Sequence, residues 1–250
     1  MKPATTVSKV CSILNQFKDR QSFGLSDIAR RTGLLPSDVH RVLAGLRNHG
    51  YIEQDSETKK YRLGFVLLRL GLLTAERNRL CVKAKPILAR LSRDIEATTH
   101  LGILEGQEFE ILWIDHMGGE AEQFFTAHWG GADRMHCTAV GKAVLANVER
   151  RVMISVLEPN RLAQVTPHTI TDIAILESQF AQIRKQGYAV DVEEFSEGLC
   201  CIGCPLFDGS GSVVGAISAS METARFVARD ESTLGRRIRE AAANISAFLG

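Results

Sequence analysis

With 250 residues, 45% of them hydrophobic and 24% charged, the chain has the make-up of an ordinary globular protein holding one large domain or two modest ones. Its formal net charge of +1 conceals an asymmetry: residues 1–63 hold 11 Lys and Arg against 6 Asp and Glu, whereas the rest hold 19 against 23. A small basic module joined to a larger, mildly acidic one points to a polyanion partner for the first part alone. No apolar run reaches the ~20 residues that span a bilayer.

The segment Met1–Val10 lacks an apolar core and a small-residue cleavage site, so a cytoplasmic location with no membrane partner is expected. Cysteine usage agrees. Cys11, Cys81 and Cys137 are scattered, and Cys200, Cys201 and Cys204 share one apolar run, unlike the framework of a secreted scaffold.

The first helical periodicity runs over Val7–Phe17, with Val10, Ile13, Leu14 and Phe17 on one stripe. Ser26 is expected to cap a short helix over Asp27–Thr32 that Gly33 closes. A third helix starts after Leu34, tolerates Pro36 in its first turn and stops at Gly50. Two alternating runs follow, Tyr51–Gln54 and Lys60–Leu63, around the polar turn Asp55–Lys59, which is a hairpin pattern. Three helices with a tight turn before the third, then a hairpin, predict a winged helix-turn-helix over residues 1–63.

Phe65 to about Asn78 reads as a linker helix, placed at 64–78, and a second periodic helix covers Lys83–Ile95. Strands are then expected at Thr99–Leu104, Phe109–Ile114 and Gln123–Ala127. Helices follow at Thr138–Ala146, Arg150–Leu157 and Asp172–Gln186, the last capped by Thr171 and ended by Gly187. Strands Tyr188–Val192, Cys201–Phe207 and Val213–Ser220 precede a terminal helix, Glu231–Leu249. This mixed order predicts an α+β sheet domain over residues 79–250.

On the helix 36–49, Val39, Val42, Leu43 and Leu46 form the packing face. Ser37, Arg41, Ala44 and Asn48 occupy the opposite one, flanked by Asp38 and His40. In a helix-turn-helix that face enters the major groove of double-stranded DNA. Arg41 would pair with guanine or hold a phosphate, Ser37 suits either, and Asn48 is better placed for backbone. Lys59, Lys60 and Arg62 of the wing would reach phosphates or the minor groove. A protein-binding winged helix is the competing reading, and Asp38 is awkward beside phosphates.

The motifs "LSDIARRTGL", "VHRVLAGL", "GYIEQDSETKKYRLG", "RMHCTAVGKAVLA" and "GYAVDVEEFSEGLCCIGCPLFDGSGSVVGAISAS" resemble the IclR family of bacterial transcription regulators, in that family's order and over nearly the whole chain. The resemblance implies a winged helix-turn-helix followed by a GAF-like effector-binding domain. It also implies a homodimer or homotetramer (a dimer of dimers) on pseudo-palindromic operators, with repression the expected sense. The implied effector is a small carboxylate, sugar acid or aromatic acid from a catabolic pathway. Leu35, Pro36 and Asp38 stand where Pro, Lys and Thr are common in the family, which leaves the operator sequence open.

Carried over by motif, the effector residues are Ala139, Val140, Asp191, Leu199, Cys201, Ser218 and Ser220. Phe124, Phe125 and Trp129 are added as an apolar wall. Ser218 and Ser220 lie two apart on a strand, so both hydroxyls share a face. With backbone N–H groups at the start of helix 138–146 they would hold a carboxylate, and Asp191 would accept from a ligand hydroxyl or orient a donor.

Other chemistries fare worse. Gly141-Lys142 lacks the rest of a phosphate loop, with His136 where the first Gly would be and Ala143 after the Lys. Cys201-x-x-Cys204 has ligand spacing but no companion pair, so no metal and no cofactor is expected. A redox- or metal-responsive regulator built on Cys200, Cys201 and Cys204 is the alternative. An enzyme on a GAF-like domain is more remote, because no nucleophile has an evident base.

Overall fold

The structure, a computed structural model, describes residues 5–18, 22–105, 110–118, 135–158 and 162–249. The chain forms two compact units, residues 1–76 and 77–250.

The first unit contains α1 (Thr6–Asn15), α2 (Leu25–Thr32), α3 (Pro36–Asn48) and the hairpin β1 (Ile52–Gln54) and β2 (Tyr61–Leu63), followed by α4 (Phe65–Arg77). Its core draws Ile13 and Phe17 from the first segment, Ile28 from α2, Val39 and Leu43 from α3, and Ile52 and Tyr61 from the hairpin. Phe23 and Tyr61 exchange two backbone hydrogen bonds, of 3.0 and 2.8 Å, which tie the segment before α2 to the wing. That bridge holds the chain extended up to Gly24, so α2 begins at Leu25. Gly24 is the N-cap, and Ser26, expected to cap, falls inside the first turn. Every residue of α4 is at least partly exposed, including Phe65, Leu68 and Leu72.

The second unit is built on a five-stranded antiparallel sheet in the order β4-β3-β7-β6-β5. The strands are β3 (Thr98–Glu105), β4 (Glu110–Met117), β5 (Ala189–Val192), β6 (Leu199–Phe207) and β7 (Val213–Glu222). The helices are α5 (Arg79–Ile95), α6 (Ala139–Leu145), α7 (Arg150–Val156), α8 (Ile173–Gln186), α9 (Thr223–Val227) and α10 (Glu231–Ser246). Leu80, Ala84, Leu88, Leu91 and Ile95 of α5 recur at helical spacing, as do Leu234, Ile238 and Ile245 of α10. Both stripes pack on one sheet face, against Leu101, Ile202, Ile217 and Met221. Each buried Leu, Ile or Met among them contributes ~1.5–3 kcal/mol.

The other face carries α6, with α7 and α8 outside it. Gly203 of β6 makes this layer possible. A Cβ there would stand 2.6 Å from the Ala139 carbonyl oxygen, so no larger residue lets α6 settle on the sheet.

Several element ends differ from the sequence expectation for local reasons. α5 begins at Arg79 rather than Lys83, because Asn78 Oδ1 accepts from the Leu80 and Cys81 N–H groups. Asp172, not Thr171, caps α8, its carboxylate accepting from Ala174 and Ile175 N–H. β6 and β7 run two residues beyond their expected ends, and the short α9 was not foreseen. The strand expected at 123–127 lies outside the described residues.

Candidate functional site

Burial of Val39, Val42 and Leu43 turns Ser37, His40, Arg41 and Asn48 out to solvent. Asp38, between them, is half-buried. It accepts from Lys9 Nζ at 2.6 Å and from Arg41 Nη2 at 2.5 Å. Lys9 above all, and then Arg41, hold its carboxyl below the usual carboxylate range. The awkward carboxylate is thus neutralised within the protein. Arg41 is 77% exposed, so this pair is weak and the guanidinium keeps other N–H groups for an incoming partner.

The wing holds Lys59, Lys60 and Arg62 at the surface. Arg62 donates twice to Glu53 Oε2, and Lys59 Nζ donates to the Ser56 carbonyl. Between α3 and the hairpin lies a groove of about 400 Å³ whose walls include Gly24, His40, Ala44, Arg47, Lys59 and Tyr61. Arg47 donates to Gln54 Oε1 at 2.9 Å. Arg47 was missed from the sequence, although His40, Ala44 and Arg47 share one helical stripe. Which stripe faces the wing depends on the fold of the hairpin.

In the second unit, strand register collects the polar residues. Thr98 of β3 pairs with Ser220 of β7, Ser220 with Cys201 of β6, and Cys201 with Asp191 of β5. The next row is His100, Ser218, Gly203 and Ala189. Thr99, between Thr98 and His100, donates its hydroxyl to the Leu88 carbonyl of α5, which fixes the opposite direction for its two neighbours. The polar rows therefore share the sheet face on which α6 lies. Thr98, His100, Asp191, Ser218 and Ser220 are all buried.

Asp191 Oδ1 accepts from the Glu194 N–H at 2.8 Å, and Cys201 Sγ stands 3.1 Å from Ser220 Oγ. Burial pushes the Asp191 carboxyl up to about 7, against the opposing pull of Lys142. Lys142 itself is buried and donates to Glu194 Oε1 and, at 3.3 Å, to Gln179 Oε1. This lysine clamps α6 to the 193–198 loop and to α8. Ala139, Leu199 and Cys201 form a small apolar cluster beside the row. Val140 packs with the α7 and α8 layer instead. One N–H group expected for a ligand is already used, since Thr138 Oγ1 accepts from Gly141 at 3.1 Å.

Comparison with known proteins decides the lineage. Residues 73–247 match the model of the bacterial transcriptional regulator IclR C-terminal domain, and residues 6–56 match the IclR helix-turn-helix domain. The chain belongs to the IclR family. It is a transcriptional regulator whose first unit carries the family's DNA-binding helix-turn-helix. The regulator XynR of Escherichia coli is 32% identical over 98% of this chain and 97% of its own. The acetate operon repressor of Salmonella typhimurium is 27% identical over 92% of this chain and 84% of its own. An IclR homologue from Microbacterium hydrocarbonoxydans, solved with 4-hydroxybenzoate, superposes with a TM-score of 0.78 at 28% identity, covering 98% and 99% of the two chains.

The structure brings five of the IclR motif residues, Asp191, Leu199, Cys201, Ser218 and Ser220, onto or beside one sheet region under α6. Phe124, Phe125 and Trp129 lie outside the described residues. Thr98 and His100 were missed. Their alternation is visible in the sequence, but the β3–β7 pairing that sets them beside the serines joins residues more than a hundred positions apart. The cysteine alternative gains no support. Cys200 and Cys204 face α5 and α10 while Cys201 faces the other way, and among the described residues no group of His, Cys, Asp and Glu could hold a metal ion. Burial raises all three thiols, Cys204 to about 12, which works against thiolate formation. No described helix is long and apolar enough to cross a membrane.

Proposed function

We propose that this regulator is a repressor that binds pseudo-palindromic operator DNA as a homodimer, pairs into a dimer of dimers, and is released by a small organic acid from catabolism. The observation that carries the effector half is the buried row Thr98, Ser220, Cys201 and Asp191 on the face under α6. Buried polar side chains cost stability unless they serve a partner. The repressor sense rests on the relative named for the acetate operon, and the organic acid on the homologue solved with 4-hydroxybenzoate.

In this reading residues 1–63 bind DNA, with Ser37, His40 and Arg41 at the bases and Asn48, Lys59, Lys60 and Arg62 at phosphates. Arg47 joins the phosphate set. Asp38 positions Arg41 and touches no DNA. The linker helix 64–78 carries the signal from the effector domain 79–250, and the exposed Phe65, Leu68 and Leu72 of α4 supply an apolar seam for a second copy. Such a protein acts in the cytoplasm.

Selection from a random pool of duplexes tests this. An enriched inverted repeat, bound with an affinity that falls steeply with salt, is expected. Absence of enrichment, or binding indifferent to salt, contradicts it.

A further inference from the structure

We propose that Lys9 and Asp38 are specificity-determining residues of the DNA-binding unit: together they hold Arg41 as a reader of guanine and keep it off the phosphates. The inference rests on the reading above that places Arg41 at the bases. It goes beyond that reading in naming the base and the two residues that enforce it.

Asp38 spends its two carboxylate oxygens on different helices. Oδ2 accepts from Lys9 Nζ of α1 at 2.6 Å, and Oδ1 accepts from Arg41 Nη2, one turn further along α3, at 2.5 Å. The side chains of Lys9 and Asp38 are 22% and 19% exposed, that of Arg41 77%. The inner pair is therefore sheltered and anchored to a second helix, whereas the outer cation projects to solvent, away from the buried Val39, Val42 and Leu43. An exposed pair three residues apart would by itself barely restrain an arginine. Asp38 restrains Arg41 because Lys9 fixes the carboxylate through its other oxygen. A staple between α1 and α3 needs Lys9 and Asp38 alone; the outward Arg41 on the remaining oxygen makes that staple a support for a recognition side chain.

A guanidinium has two edges that can donate a parallel pair of N–H bonds, Nε with Nη2 and Nη1 with Nη2, and Nη2 carries one hydrogen on each. With one Nη2 hydrogen given to Asp38, the opposite edge stays whole. Guanine offers O6 and N7, two neutral acceptors that this edge fits. Adenine and cytosine present an amino donor and thymine a single acceptor, so none of them takes both bonds. A phosphate fits the edge by shape, but it brings a negative charge beside the Asp38 carboxylate, and that repulsion disfavours it. The carboxylate thus selects base over backbone. An arginine held in place beforehand also has less rotamer freedom to lose on binding.

The test uses the full chain. Selection from random duplexes is run for the parent, Arg41→Ala, Asp38→Asn, Lys9→Met and Lys9→Arg. Fluorescence anisotropy then gives the Kd of each protein for the parent's enriched duplex and for its single-base-pair substitutions. The parent should favour guanine about tenfold or more at one position of each half-site, and Arg41→Ala should lose that preference. Asp38→Asn and Lys9→Met remove opposite charges, so affinity for unrelated duplex should rise in the first and fall in the second. Both should nonetheless cut the guanine preference at that one position to about threefold or less, leaving the other positions as in the parent. Lys9→Arg, which keeps charge and reach, should retain it. A purely structural role, or a direct contact of Lys9 with phosphate, would change all sequences alike. Full guanine preference in Asp38→Asn or Lys9→Met, or a loss spread evenly over all positions, overturns the proposal while the reading of Arg41 stands. If Arg41→Ala keeps every preference of the parent, the placement of Arg41 at the bases fails, and the proposal falls with it.

Discussion

The two units treat polar side chains in opposite ways. In the helix-turn-helix unit three cationic candidates are exposed and held by neighbouring side chains, Arg41 by Asp38, Arg62 by Glu53 and Arg47 by Gln54. Such pairs are worth little in water and yield easily to a stronger anion. In the effector unit the candidates are buried on a sheet face and ordered by register, and the Thr98 hydroxyl has no hydrogen-bond partner among the described residues. In the proposed function, phosphates displace the weak internal pairs of Arg47 and Arg62 on the first surface. The second surface holds a fixed arrangement, which in the proposed function preorganises it for its ligand.

Substitutions should expose that difference, most strongly in the effector unit. Lys142→Met strands Glu194 as an uncompensated buried carboxylate, and should lower stability by about 3–5 kcal/mol in chemical denaturation. Adding Glu194→Gln should restore part of the loss, and no recovery would show that the pair is not the cause. Gly203→Ala drives a Cβ against the Ala139 carbonyl and should cost about 1–3 kcal/mol while lifting α6 from the sheet. A loss of acid response alongside normal DNA binding is the outcome to look for.

Asp191 gives a pH signature. Its folded carboxyl is raised from 3.8 to about 7, so between those values the folded state holds a proton that the unfolded state has lost. Its contribution to stability is complete below pH 3.8, falls by up to roughly 1.4 kcal/mol per pH unit as pH rises through that window, and levels off above 7. Glu194, also raised by burial, adds in the same direction. Asp191→Asn should flatten the decline between pH 5 and 7 in denaturant titrations, and an unchanged slope would assign the effect elsewhere. The smallest change belongs to the DNA-binding unit. Arg47→Ala and Lys60→Ala should leave stability near the parent's and each reduce the salt slope of DNA binding by about 1.

The sequence carried the helices and the hairpin because their signals are local: Pro36 and Gly50 bracket α3, and alternation marks the wing. It failed where a local choice is decided from afar. Ser26 looked like a cap, but the Phe23–Tyr61 bridge moved the start of α2 to Leu25. The same limit governs the candidate effector site. Ser218 and Ser220 were legible as one face of one strand, and family motifs supplied Asp191 and Cys201. Thr98 and His100 were not legible, because only the β3–β7 register sets them beside the serines. Lys142 stood in a conspicuous Gly-Lys pair, yet its role as a buried clamp depends on Glu194 fifty-two residues away.

The central claim is that an acid bound on the Thr98–Asp191 row weakens DNA binding by the other unit. Fluorescence anisotropy of the selected inverted-repeat duplex, titrated with protein in the presence and absence of 4-hydroxybenzoate or another small carboxylate that raises the protein's Tm, measures that coupling directly. A typical coupling of ~1–3 kcal/mol appears as roughly a 5–150-fold weaker Kd for DNA. The account predicts a shift of that size in the parent and none in Ser218→Ala/Ser220→Ala, which should bind the duplex normally. An unchanged Kd in the parent, or an equal shift in the double variant, would contradict it.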